Sequence, residues 1–351
     1  MVPNCLMQNH SAFWWDRNKP RKRLRKSCSF RLLPRESSMQ ENISYTPKKF
    51  AVVGAGPVGC IVAAFLSRGG YEVTLCDVQS SLLEAAMDPG ILLSGTDSFQ
   101  ARVAKTTTRV DELASNPPDV VIVTVKATAL PIITSALEGF INEGRYVVSW
   151  QNGIDTELVL AERLGNKQVM RAVVNYGCVL EGPAKVKVVF HHRPHYLQEL
   201  HPETKDAALG ICHALTKCGL DTHHTNQIRN MVWSKTVNNS CMNAVCAVTG
   251  KSMFEVINDP IVAGLVDSLL KEGVRVARAN ELMLGPDYYL DCLDYIKDAG
   301  HHKPSMLQDI EAKRQTEIDY INGKIIEYGE RAGVPTPYNS TLRSLVKALE
   351  A

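Results

Sequence analysis

The sequence predicts an α/β protein with an N-terminal Rossmann-type dinucleotide-binding domain followed by an all-helical C-terminal domain. Three observations predict it. A glycine turn, Gly54-Ala55-Gly56-Pro57-Val58-Gly59, lies between an apolar strand and an apolar helix. Strand-like runs then alternate with helical stretches. From about Ile228 the β signal fades and apolar residues recur at helical spacing. The resulting boundaries are 1–47 for a basic extension, 48–224 for the dinucleotide-binding domain and 225–351 for a helical substrate and catalytic domain.

Phe50 to Val53 form the first strand, and each glycine after it has its own task. Gly54 permits the tight turn, Gly56 lets the backbone approach a pyrophosphate, and Gly59 lets the helix pack close to the strand. The helix, Cys60 to Leu66, offers free N–H groups at its start, where phosphates bind. A second strand, Glu72 to Cys76, ends in Asp77, an acid about 20 residues beyond the glycines and so placed to grip a ribose hydroxyl. Ala55, Pro57 and Val58 complete the expected cofactor-binding turn.

A helix is expected around Ser81 to Met87, then a hairpin-like stretch, ILLSGTDSFQARV, turning at Gly95 and Asp97. The runs PDVVIVTVKA and RYVVSWQNG read as strands buried on both faces. They deliver Lys126 and Asn152 to their carboxyl ends, the edge at which open α/β sheets bind ligands. AVVNYGCVLEGPAKVKVVF suggests two more strands around Gly182-Pro183. Helical patterns follow over 228–248, 260–280 and 305–332, the last with Ile310, Ile321 and Ile325 on one stripe and Gly333 and Pro335 as its stop.

Two features of the helical part carry chemistry. Lys235, Asn239 and Asn243 fall four apart and line one helix wall, while Val237, Met242 and Val245 point elsewhere. The row reads either as a solvated face or as the wall of a polar cavity; the dinucleotide turn favours the cavity. Glu317 sits on the expected apolar stripe of the last helix, where a carboxylate must be paired, hydrogen-bonded or neutralised. A lysine across the cavity is the expected partner; a structural ion pair is the plainer one.

Composition limits the rest. The chain has 351 residues and net charge +2, and no apolar stretch approaches the ~20 residues of a membrane span. The ten cysteines form no CxxC pair, and the histidines lack ligand spacing, so the expectation is reduced thiols and no metal. Residues 1–40 hold nine Lys and Arg against two acids, giving +7, and the remaining residues carry −5. That tail reads as a mitochondrial transit peptide, as a basic tail without fixed structure, or as dispensable sequence ahead of a start at Met39. A cytoplasmic location is expected, with mitochondrial targeting as the alternative. Nucleic-acid binding is not expected, because aromatics occur only at Phe13, Trp14 and Trp15 ahead of the basic run.

These residues resemble the ketopantoate reductases, or 2-dehydropantoate 2-reductases, from about Lys49 to Leu349. The resemblance is carried by VVGAGPVG, the VK of Lys126, the QNG around Asn152, KTVNN and MN, and SMLQDIEAKRQTEIDYING with Ser305 and Glu317. It implies an active cleft between the two domains and reduction of 2-dehydropantoate to pantoate, in the pathway to pantothenate and coenzyme A, with NADP(H). It also implies roles: Lys235 as proton donor, Glu317 as its or the substrate's orienting carboxylate, Asn239, Asn243 and Ser305 as substrate ligands, and Asn152 beside the nicotinamide. A small 2-oxo acid is thus the expected partner, with self-association as a homodimer left open. The sequence departs from the resemblance at two places. Asp77 stands near where many members carry a base for the 2′-phosphate, which argues for NAD(H); and Met253 stands where some members carry an amide, so another 2-oxo or hydroxy acid stays open as substrate. A cofactor-sensing protein without chemistry is the remaining alternative, against which Lys235 and Glu317 speak.

Overall fold

The computed structural model describes residues 43–298 and 300–350. The first part of the chain runs β1 (Lys49–Val53), α1 (Pro57–Arg68), β2 (Glu72–Cys76), α2 (Ser80–Ala85), β3 (Ile91–Gly95), β4 (Phe99–Ala101), β5 (Lys105–Thr107) and β6 (Val120–Val123). It continues with α3 (Leu130–Leu137), β7 (Tyr146–Ser149), α4 (Thr156–Leu164), β8 (Val169–Val173), β9 (Tyr176–Gly182), β10 (Lys185–His191), β11 (His195–Glu199), α5 (Lys205–Cys218) and β12 (Thr222–His224). Helices alone follow: α6 (Ile228–Thr249), α7 (Met253–Asn258), α8 (Pro260–Ala279), α9 (Tyr288–Asp298), α10 (Ser305–Glu311), α11 (Asn322–Arg331) and α12 (Pro337–Leu349).

The main sheet has eight strands in the order β12-β11-β8-β7-β6-β1-β2-β5, parallel except where β11 runs against β8. Strand order reverses at β1, which pairs β2 on one side and β6 on the other, so the glycine turn after β1 lies at the switch point of an open parallel sheet. The period-2 pattern explains the two-sided burial. Phe50 and Val52 of β1 join Val120 and Ile122 of β6 in a core with α1 and α5, while Ala51, Val53, Val121 and Val123 join a second core under α3 and α4. A third core fills the helical part around α6 and α8.

Three features differ from the sequence reading. The stretch 305–332 is broken: after α10 the chain turns through 312–321 before α11 begins. Lys313 takes φ 54°, and Thr316 donates from its backbone N–H (2.8 Å) and hydroxyl (2.5 Å) to Glu350 at the end of α12, a tertiary bond that holds the turn open. The helical spacing of Ile310, Ile321 and Ile325 therefore spans two helices. Second, the hairpin β3–β4 and the hairpin β9–β10 join through parallel β3–β10 pairing into a separate four-stranded sheet. Third, residues 43–47 belong to the fold rather than to the extension. Ser44 and Tyr45 donate backbone N–H groups to Asp206 at 3.0 and 2.9 Å, and Tyr45 Oη reaches Asp119 O at the amino edge of the sheet. The other expectations for the tail, 1–42, lie outside the described residues. Finally, no described helix is long and apolar enough to cross a membrane.

Candidate active site

The glycine turn is held by backbone. Gly54 takes φ 111° and donates to Cys76 O at 2.7 Å, and a Cβ added there would lie 2.8 Å from Val125 N. A Cβ on Gly59 would lie 1.8 Å from Gly54 O, so α1 can approach the turn only without a side chain at that position. Gly56 is the opposite case. Nothing stands within 4 Å of its absent Cβ, and as the N-cap of α1 it has no side-chain cap. An open approach beside uncapped helix N–H groups fits a pyrophosphate. Asp77 closes the turn from the end of β2: Oδ2 accepts from Ala55 N–H at 2.7 Å and Oδ1 from Gln79 N–H at 3.0 Å.

Lys126, Asn152, Glu317 and Lys235 lie at the carboxyl edge at β6, β7 and β8, on the far side of β1 from Asp77. Just past β8, Val174 O accepts a hydrogen bond from Lys235 Nζ of α6. The amine thus points at the sheet rather than into bulk water. Its pKa is pushed down to about 7, first by burial and then by the positive charge of Arg171, against the opposing pull of Glu317 and Cys178. Asn239 is half-buried and Asn243 is 6% exposed on the same helix, while Ser305 opens α10, which packs on α6.

Glu317 lies in the turn 312–321 and not on a helix. It is 6% exposed, and its Oε1 accepts from Ala127 N–H at 3.1 Å. Its nearest ammonium is Lys126, with Nζ 3.8 Å from Oε2, rather than Lys235; Lys126 Nζ also lies 2.5 Å from Asp309 Oδ2. Burial alone would lower the pKa of Lys126, but Glu317 and Asp309 hold it raised. The lysine expected to face a cofactor therefore also ties the sheet to the helical part. Asn152 follows β7 in a loop gripped from both sides. Ile154 N–H donates to Tyr320 O at 3.0 Å, and at Gly153, with φ 103°, a Cβ would lie 2.8 Å from Tyr320 Cβ.

Sequence reading missed Arg171, which is 2% exposed in β8. It donates from Nη1 to Thr156 Oγ1 at 2.7 Å and to Ser149 Oγ at 3.1 Å, from Nη2 to Gly153 O at 2.8 Å, and lies 3.3 Å from Glu157 through Nε. The available signal was an arginine inside the apolar run VMRAVV. Chemically, the edge carries a readily deprotonated amine, a fixed carboxylate and the Asn152 amide beside the glycine turn, which suits proton transfer to an oxygen that gains charge. A separate cavity of about 280 Å³, lined by Tyr45, Tyr71, Gly210 and His213, opens near the amino edge of the sheet, remote from this chemistry.

Comparison with known proteins agrees with this fold. Residues 50–201 match the family described as ketopantoate reductase PanE/ApbA, and residues 227–350 match its C-terminal region. A 2-dehydropantoate 2-reductase of Pyrococcus horikoshii is 28% identical over 304 residues, covering 86% of this chain and 98% of that protein. Among solved structures, a 2-dehydropantoate 2-reductase of Geobacter metallireducens superposes with TM-score 0.79 at 25% identity, covering 86% of this chain and 99% of that one. A D-mandelate dehydrogenase in ternary complex with NADH and anilino(oxo)acetate superposes with TM-score 0.78 at 28% identity, covering 86% and 98%.

Proposed function

From the premise that this chain belongs to the ketopantoate reductase family of NAD(P)H-dependent oxidoreductases, we propose that it reduces the C2 carbonyl of 2-dehydropantoate to give pantoate. The observation that carries the proposal is the Lys235 amine, drawn from the helical part onto Val174 O at the sheet edge and held with a pKa of about 7. A bound reduced nicotinamide supplies the hydride. As charge grows on the carbonyl oxygen, Lys235 stabilises it and gives up its proton. Glu317, anchored on Ala127 N–H, presents its carboxylate to the substrate hydroxyl and to the lysine. Asn239, Asn243 and Ser305 hold the substrate's carboxylate and hydroxyl, and Asn152 stands beside the ring and the reacting group. Gly54, Gly56 and Gly59, with Ala55, Pro57 and Val58, cradle the pyrophosphate, and Lys126 faces the cofactor from the end of β6.

For the cofactor we propose NADH over NADPH. Oδ2 of Asp77 is held against the glycine turn by Ala55 N–H and Oδ1 by Gln79 N–H, which fixes a carboxylate at the end of β2, where a 2′-phosphate would come. Oxidation of NADH and of NADPH by a panel of 2-oxo acids tests both readings: 2-dehydropantoate, an unbranched analogue and an aromatic 2-oxo acid. The aromatic acid belongs in the panel because of the likeness to D-mandelate dehydrogenase. The expected result is highest kcat/KM with 2-dehydropantoate and NADH. Preference for the aromatic acid would overturn the substrate, a strong NADPH preference would overturn the reading of Asp77, and binding without turnover would favour a sensor.

A further inference from the structure

Arg171 is an unusual group for the centre of a sheet. Full burial of a guanidinium is unfavourable unless its donors find partners and the charge is compensated. Here both Nη atoms are hydrogen-bonded, and Nε, which makes no hydrogen bond, faces the compensating carboxylate. Its Nη atoms are taken by Ser149 Oγ, Thr156 Oγ1 and Gly153 O, one partner from the end of β7, one from the start of α4 and one from the loop between them. Glu157, 15% exposed at its side chain, compensates the charge at 3.3 Å. The loop so held carries Asn152, and its outer side is fixed by Tyr320 O on Ile154 N–H and by Tyr328 Oη and Lys324 on Asp155. Arg171 is therefore the inner of two clamps on the segment that brings Asn152 to the cleft.

We propose that Arg171 is a positioning residue of the reductase: its fork sets the height of the Asn152 loop above the sheet, and its guanidinium sits in the strand that ends at Val174 O, the acceptor of the Lys235 amine, so that its charge acts on that amine. The inference rests on the reading of Lys235 as proton donor. The groups that act on Lys235 are Arg171 from β8, Glu317 from the turn 312–321, Cys178 from β9 and, with like sign when protonated, His195 from β11. Cys178 is a thiol pushed up to about 12 by burial, and His195 is held well below the usual histidine value, so neither carries charge near neutrality. Of the charged pair that remains, Glu317 is tied to Ala127 and Lys126, which leaves Arg171 as the cation opposing the proton on Lys235.

The test uses the full chain with Arg171→Gln combined with Glu157→Gln, which removes both buried charges while leaving amides able to bond each other, and with Arg171→Lys, which keeps the charge but not the fork. Lys235 is followed by 13C NMR after reductive methylation of the lysines, its signal assigned by its loss in Lys235→Ala. This titration involves no turnover, so its failure is separable from failure of the reductase reading. The expected midpoint in the double variant rises by about one pH unit above the parent. In Arg171→Lys the midpoint stays with the parent while kcat falls on the order of tenfold, with little change in KM, because the loop has lost its bidentate hold. A double variant whose Lys235 midpoint matches the parent overturns the electrostatic half. Should that variant fail to fold, an Arg171→Lys midpoint that climbs, or a kcat equal to the parent's, overturns the proposal instead.

Discussion

Raising the pH should switch this protein off at a point set by one amine. Lys235 ordinarily would stay protonated to about pH 10, but burial and Arg171 bring it to about 7. The donor is the protonated form, so activity is full below that value and falls as pH rises through it, about tenfold per unit. At about pH 9, kcat/KM should therefore lie roughly a hundredfold below its acid plateau. His195 does not confuse the limb, since burial holds its pKa well below the usual value and it stays neutral across this range. The assay is loss of reduced-cofactor absorbance with 2-dehydropantoate across about pH 5 to 10, read as kcat/KM for the free enzyme and kcat for the complex. On the proposed reading the carboxylate of a bound 2-oxo acid, next to the reacting carbonyl, adds negative charge near the ammonium, so the kcat limb should lie at higher pH than the kcat/KM limb. In Lys235→Ala, turnover falls by about two powers of ten or more and the alkaline limb disappears. A parent profile that is flat to about pH 9, or an alanine variant with near-normal turnover, would falsify the assignment of Lys235 as donor.

Other perturbations separate folding from binding. Gly59→Ala forces a Cβ to 1.8 Å from Gly54 O and should lose about 1–3 kcal/mol of stability together with cofactor binding, whereas Gly56→Ala, with nothing within 4 Å, should melt like the parent and still bind reduced cofactor at least about tenfold more weakly. Thermal melts beside fluorescence titration with NADH distinguish the two, and equal melting of both variants would contradict the packing argument. Glu272 is 0% exposed in α8 and accepts from Tyr338 N, Asn339 N and Asn339 Nδ2 at 2.9, 3.0 and 2.8 Å, capping the start of α12. Glu272→Ala leaves those donors unpaired and should destabilise the chain by about 2–4 kcal/mol in denaturant unfolding; a change within about 0.5 kcal/mol would mean the cap is unimportant.

The glycine turn was legible because its function is written in local backbone sterics: three positions without a side chain, each next to a defined strand or helix. The inward direction of Lys235 was legible only in part, because a polar row on a helix with apolar residues on its other faces fits a cavity wall and a solvated face alike. Glu317 was recognised as a carboxylate in an apolar setting, but its surroundings were misread. Helical spacing of Ile310, Ile321 and Ile325 cannot reveal that Thr316 is drawn away by Glu350, a partner over thirty residues downstream. The same limit hid the β3–β10 pairing, which joins segments about ninety residues apart. Arg171 was passed over because a charge in an apolar strand declares only that something must satisfy it, and Ser149, Thr156, Gly153 and Glu157 can be named as partners only once the loop is folded over it.

The bonds from Ile154 N–H to Tyr320 O and from Ala127 N–H to Glu317 tie the chain just past β7 and just past β6 to the same short turn, 312–321. That turn is itself held through Thr316 by Glu350, so a change that displaces it disturbs both strand ends at once rather than one of them.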